Sequence, residues 1–136
     1  MRHAARPTAA TLLDGLEVPA FLCRPDAGVV AANGPAGALL AGWARAPFDR
    51  PAGELMGCLN ARDAGCGRGP RCAQCPVRAA IAAAIAGGRV DRVPVAMVLV
   101  RDGAPCRVEL RVSASPAEDD GQALALLTLE PAEWVR

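Results

Sequence analysis

The chain has 136 residues, enough to bury a core as one domain without disulfide staples. Its 15 basic residues are all arginine and face 14 acids, and the resulting net charge of +1 supplies no field to gather nucleic acid or an anionic membrane. The longest apolar run, VPVAMVLV at 93–100, is far short of the roughly 20 residues of a membrane helix, and Asp14 and Glu17 interrupt the start before a signal-peptide core can form, so the chain reads as soluble and cytoplasmic.

Residues 1–10 are polar and alanine-rich and read as a flexible N-terminus, leaving 11–136 as a single domain. Thr11 with Asp14 three places on suggests a helix start, and Leu12, Leu13 and Leu16 form an apolar stripe for one short helix. VPAFLC at 18–23 and VVAA at 29–32 read as two strands joined by the turn RPDAG, in which Gly28 is expected to supply a positive φ. The period then changes. Asn33 or Gly34 caps a short helix with Pro35 in its first turn, and Ala36, Leu39, Leu40 and Trp43 fall at helical spacing.

Residues 44–76 carry prolines at 47, 51, 70 and 76 and glycines at 53, 57, 65, 67 and 69, a long irregular stretch that needs something other than a hydrogen-bonded ladder to organise it. Val77, Ile81 and Ile85 then recur every four residues in an alanine-rich helix ended by Gly87-Gly88. Three strands follow: RVPVAMVLV, CRVELRV and ALALLTL, linked by the turns RDGAP and AEDDG. Neither gap holds a crossover helix, so an antiparallel meander is the natural arrangement.

The fold class is therefore α+β, with a five-stranded antiparallel sheet and helices packed on one face. The order of elements resembles the PAS fold. VPAFLCRPDAGVVAANGPAGALLAG is similar to the opening of a PAS domain, where a hairpin with an Asp-x-x-Gly-like turn leads to an Asn, here Asn33, at the head of a short helix. The resemblance covers residues 11–131, and it implies a sensory or regulatory module. By the same resemblance the output is non-covalent, passed through the outer sheet face or flanking helices to a second copy or to an output domain such as a histidine kinase. The segment at 57–78, with its four cysteines followed by a helix, also resembles a cysteine-rich subgroup of bacterial sensory PAS domains.

Cys58, Cys66, Cys72 and Cys75 sit in the loop at 57–76 with the spacing C-x7-C-x5-C-x2-C. A CxxC turn entering a helix presents two sulfurs to one ion, and the glycines between the other cysteines let the loop bring two more thiolates round. Four thiolates suit zinc or an iron–sulfur cluster. Cys75 precedes Pro76, as in cluster-binding runs that end Cys-Pro, and Arg62, Arg68, Arg71 and Arg78 would offset an anionic cluster, so the reading leans to iron–sulfur over zinc. Three alternatives stay open: the cysteines only pack, the metal is zinc and purely structural in an interaction domain, or CxxC is a thiol-disulfide switch without its usual βαβ setting. Cys23 and Cys106 read as small core residues, Cys106 by sharing its alternation with Val108 and Leu110.

His3 is the only histidine and lies in the N-terminal tail, which argues against histidine-ligated haem and against a nucleophile–histidine pair. No phosphate-binding glycine motif and no flavin-type reactive cysteine motif is present. Trp43 reads as core, and Trp134 as a cap or an interface residue. The chain is expected not to be an enzyme.

Overall fold

A computed structural model of the chain describes residues 13–38, 72, 75–101 and 103–132. The expected tail at 1–10, His3, Trp43, Trp134 and most of the loop at 57–76 lie outside the described residues. Among the described residues the strands are β1 (Ala20–Cys23), β2 (Val29–Ala32), β3 (Val90–Arg101), β4 (Ala104–Asp119) and β5 (Gln122–Pro131), with a 3-10 turn at Pro35–Ala38 and a helix, α1 (Pro76–Ile85), between β2 and β3; Leu13 and Asp14 are also helical. The strands form one sheet in the order β2-β1-β5-β4-β3, and every pairing is antiparallel. The expected hairpin and meander are thus both present, closed on each other by the β1–β5 pairing.

Alternation along the strands builds two apolar layers. Phe21 and Cys23 of β1, Leu110, Val112 and Ala114 of β4, and Leu127 and Leu129 of β5 face α1, whose buried residues are Val77, Ala80, Ile81 and Ala84. Full burial of a side chain such as Leu127 is worth about 1.5–3 kcal/mol, so this layer supplies much of the driving force. On the opposite face, Leu13 and Leu16 pack over Ala20, Leu22, Ala31 and Leu124. The register shift in the β1–β2 ladder permits this: Cys23 pairs with Val29 but Leu22 pairs with Ala31, so Val30 is the extra residue and joins Ala31 on the far face.

α1 begins at Pro76, whose fixed φ and missing N–H cost nothing in a first turn. It ends in a Schellman arrangement: Gly87 adopts φ +94°, its N–H donates to Ala84 O (2.9 Å), and Gly88 N–H donates to Ala83 O (2.8 Å). β4 runs well beyond the expected CRVELRV, through Pro116 to Asp119. Proline is tolerated there because β3 pairs with β4 only as far as Ala114, so the last part of β4 has a single neighbour. The β4–β5 hairpin turns on Asp120 and Gly121, both at positive φ (51° and 77°), the two-residue turn that Asp-Gly favours.

In the β1–β2 turn the left-handed position falls on Ala27 (φ 71°), not on Gly28 as expected. A Cβ at Gly28 would meet the ends of the Arg24 and Asp26 side chains, which would have to shift to admit it. Asp26 Oδ1 accepts from Gly28 N–H (2.8 Å) and lies 3.4 Å from Arg24 Nε.

Among the described residues Asn33 is the buried polar side chain of the core, 5 % exposed, and it uses its full bonding capacity. Its Oδ1 accepts from Ala20 N–H (3.1 Å) and Ala36 N–H (3.0 Å), and its Nδ2 donates to the carbonyls of Val18 (2.8 Å), Leu13 (3.2 Å) and Leu16 (3.2 Å). One side chain therefore joins the N-terminal segment, β1 and the 3-10 turn.

Two outcomes follow from these contacts. Asn33→Ala strands buried amides on two elements and should lower unfolding stability by about 2–4 kcal/mol in a urea titration; a loss below about 1 kcal/mol contradicts the role given to Asn33. The Gly28 amide bond, and to a lesser degree Arg24, holds the Asp26 carboxyl below its ordinary pKa. Its contribution is complete above the unfolded carboxylate pKa and is lost as pH falls through the lower folded value. The small stability advantage of wild type over Asp26→Asn should therefore be constant at neutral pH and close below about pH 4.

Candidate metal centre

Cys75 is the N-cap of α1, in extended backbone (φ −65°, ψ 118°), and its carbonyl accepts the helix's first bond from Ala79 N–H (3.0 Å). Its own N–H donates back to Cys72 O (3.1 Å). That bond closes a four-residue turn, so the two Cα atoms lie within the roughly 7 Å that such a turn allows. Cys72 is buried at 9 % exposure, and Cys75 is half-buried against the edge of the α1 layer. Both are free thiols. The chain is folded this way by its own punctuation, because Pro76 cannot continue a helix backwards through its nitrogen and so sets the helix start just after Cys75.

Two of the four expected ligands are thus adjacent on one turn at a helix N-terminus. Cys58 and Cys66 lie outside the described residues. Among the described residues no three His, Cys, Asp or Glu side chains converge as a metal site. The described half suits a thiophilic metal in the chemistry of its donors: two soft sulfur side chains, one buried and one half-buried, beside a helix N-terminus. Arg78, one turn further along α1, is the described member of the four arginines that flank the cysteines.

The other two described cysteines divide. Cys23 is fully buried in the α1 layer, as its strand position implies. Cys106 is exposed and corrects the expectation of a core residue. Its alternation with Val108 and Leu110 is as expected, but the β3–β4 hairpin extends past the end of the core, and from Ala104 to Arg107 every β4 residue is exposed. Parity identifies the face of a strand, not whether anything covers it.

A second cluster was not anticipated from the sequence. It lies across the sheet face opposite α1, a groove of about 250 Å³ lined by Val18, Asp91, Arg92, Arg111, Ser113, Thr128 and Glu130. Arg92 stands at a register shift in β3, between Val90, which pairs with Ala114, and Val93, which pairs with Val112. Its φ is 49°. A signal was available: Val90 and Val93 are three residues apart, and two inward positions an odd distance apart on one strand require an inserted residue between them.

The fold is similar to that in the crystal structure of the PAS domain of nitrogen regulation protein NR(II) from Vibrio parahaemolyticus, with a TM-score of 0.52 at 14% identity over 90% of this chain and 95% of that one. No protein-family model and no curated protein matches the sequence. The likeness, with the strand order above, makes the fold PAS-like.

Burial ranks the described thiols. In native, reduced protein, alkylation followed by peptide mass analysis should label Cys106 first and Cys75 next. Cys23 and Cys72 should lag Cys106 by at least about tenfold, the factor that about 1.4 kcal/mol of local opening imposes. Equal rates for Cys72 and Cys106 contradict the shielded position of Cys72.

Proposed function

We propose that the chain is a cytoplasmic PAS-type sensory module whose signal-responsive element is a metal centre held by Cys58, Cys66, Cys72 and Cys75, with an iron–sulfur cluster favoured over zinc. The observation that carries this reading is the backbone turn from Cys72 to Cys75 at the N-terminus of α1, which sets two of the four cysteines side by side in the fold. A cluster supplies one-electron redox chemistry and sensitivity to oxygen, and zinc supplies order alone.

The protein's own part is mechanical. Cys72 and Cys75 fix one edge of the centre to α1, and Cys58 and Cys66 tie the glycine-rich loop to the same point. Loss of the centre would release the loop and the start of the helix together. α1 lies on the sheet over β4 and β5, and its first turn meets the core through Val77 and Ala80, with Cys75 packed against the same layer. Output is read as non-covalent, through contacts with a second copy or with a kinase-type output domain, without catalysis by this chain. None of its described helices is long and apolar enough to cross a membrane.

Protein purified without oxygen tests the reading. Stoichiometric iron and sulfide with visible absorption supports the cluster, colourless protein with one zinc supports the structural alternative, and neither metal overturns both. Cys72→Ser or Cys75→Ser should abolish metal binding and open residues 50–76 to protease, whereas Cys23→Ser and Cys106→Ser should retain the metal. A Cys72–Cys75 disulfide on mild oxidation of metal-free protein would point instead to a thiol switch.

A further inference from the structure

Arg92 combines three features. Its backbone is left-handed, a conformation that costs a residue bearing a Cβ and persists where the surroundings impose it. Its N–H donates to Ser113 Oγ on β4 (2.9 Å). Its guanidinium reaches across the same face to Glu130 on β5, with Nη2 3.0 Å from Oε1. Ser113 and Arg111 of β4 pair with Thr128 and Glu130 of β5, so the side chain spans the sheet directly over these pairs. Glu130, with its side chain 25 % exposed, is partly shielded from water there.

The bulge also sits at a junction. α1 ends at Ile85, and only residues 86–89 separate it from Val90, the first residue of β3. Val90 pairs with Ala114, but the register shift detaches that pair from the continuous ladder that resumes at Val93. The start of β3 therefore follows the helix end more directly than it follows the rest of its strand. At the other end of the strap, Glu130 is next to the last residue of β5, where the chain leaves the sheet.

We infer that Arg92 is a strap coupling the C-terminal end of α1 to the end of β5: the strained bulge is held by Ser113 and Glu130, and a displacement of the helix end is passed across the sheet to the point where the chain exits. Arg92 is a positioning residue in this device. The inference does not depend on any metal at the cysteines, and its test leaves them unchanged.

The experiment is amide hydrogen exchange at Thr128, Leu129 and Glu130 in a two-by-two set of variants. Arg92→Gly keeps the left-handed bulge available at no steric cost while removing the strap. It should accelerate exchange at these amides by about three- to fivefold, the range of a partly screened ion pair, without lowering the melting temperature. Glu130→Gln should accelerate the same amides with the backbone of residue 92 unaltered. Gly88→Ala perturbs the helix end, since its Cβ would lie 3.1 Å from Ala83 O. It should speed exchange at the β5 end when Arg92 is present and add nothing when Arg92→Gly is already made. If Arg92→Gly leaves these amides unchanged, or if Gly88→Ala acts equally in both backgrounds, the strap does not exist. Should Gly88→Ala fail to fold, the Arg92→Gly and Glu130→Gln exchange rates decide alone.

Discussion

The carboxamide of Asn33 is the constraint around which the described structure is assembled. Two amides converge on its oxygen and three carbonyls share its NH2 group, in a place from which water is excluded. The groups it satisfies lie on three pieces of backbone: the segment 13–18, in which the helical residues Leu13 and Asp14 run into a turn, the first residue of β1, and the 3-10 turn. Without Asn33 each would need water or another partner inside the core, at a cost comparable to several exposed contacts. The segment it pins carries Leu13 and Leu16, and these cover the half of the outer sheet face formed by β1, β2 and the start of β5. A single polar residue thereby decides which part of that face is covered and which stays open.

The open part is the face of β3, β4 and the end of β5, and its side chains are of a different kind. Val98 is exposed at 37 %, and Arg107, Glu109 and Arg111 alternate in sign along β4. Mixed charge of this sort keeps a bare sheet face soluble, and Pro94 with the bulge at Asp91–Arg92 blunts the unpaired edge of β3 against strand addition. The same bulge serves two ends: it protects the edge, and it turns Arg92 over the sheet toward Glu130.

Much of this was legible in the sequence, and the failures share a cause. The hairpin, the alanine-rich helix and the three-strand meander follow from periods that change from two to about four and back, with glycine and proline at the joints. Local pattern could not tell how far each element extends past its neighbours. Cys106 has inward parity but lies on a hairpin tip beyond the helix, and Pro116 looks like a strand breaker until β3 is seen to stop short of it. The left-handed position falls on Ala27 within a turn closed by bonds from Gly28 N–H to Asp26 Oδ1 and from Arg24 N–H to Gly28 O, an arrangement that the presence of a glycine does not by itself locate. Asn33 was readable as a helix cap, and one of its five side-chain bonds is that cap; the other four come from chain segments that only the fold brings to it. Of the candidate site, the CxxC turn at the helix start is the part whose geometry follows from residues adjacent in sequence, because Pro76 dictates where α1 begins.

The composition of α1 ties these observations together. Its buried face is Val77, Ala80, Ile81 and Ala84, two of them alanines, resting on β4 and β5. Small residues allow close approach to a sheet but leave shallow ridges, so side-chain interlocking resists sliding along the axis less than a leucine face would. The helix is instead located by its ends: Cys75 and Pro76 at one, the Gly87–Gly88 closure at the other. The cysteine turn lies at the first of these ends and the junction with the β3 bulge at the second, so α1 is the element that lies between these two described features.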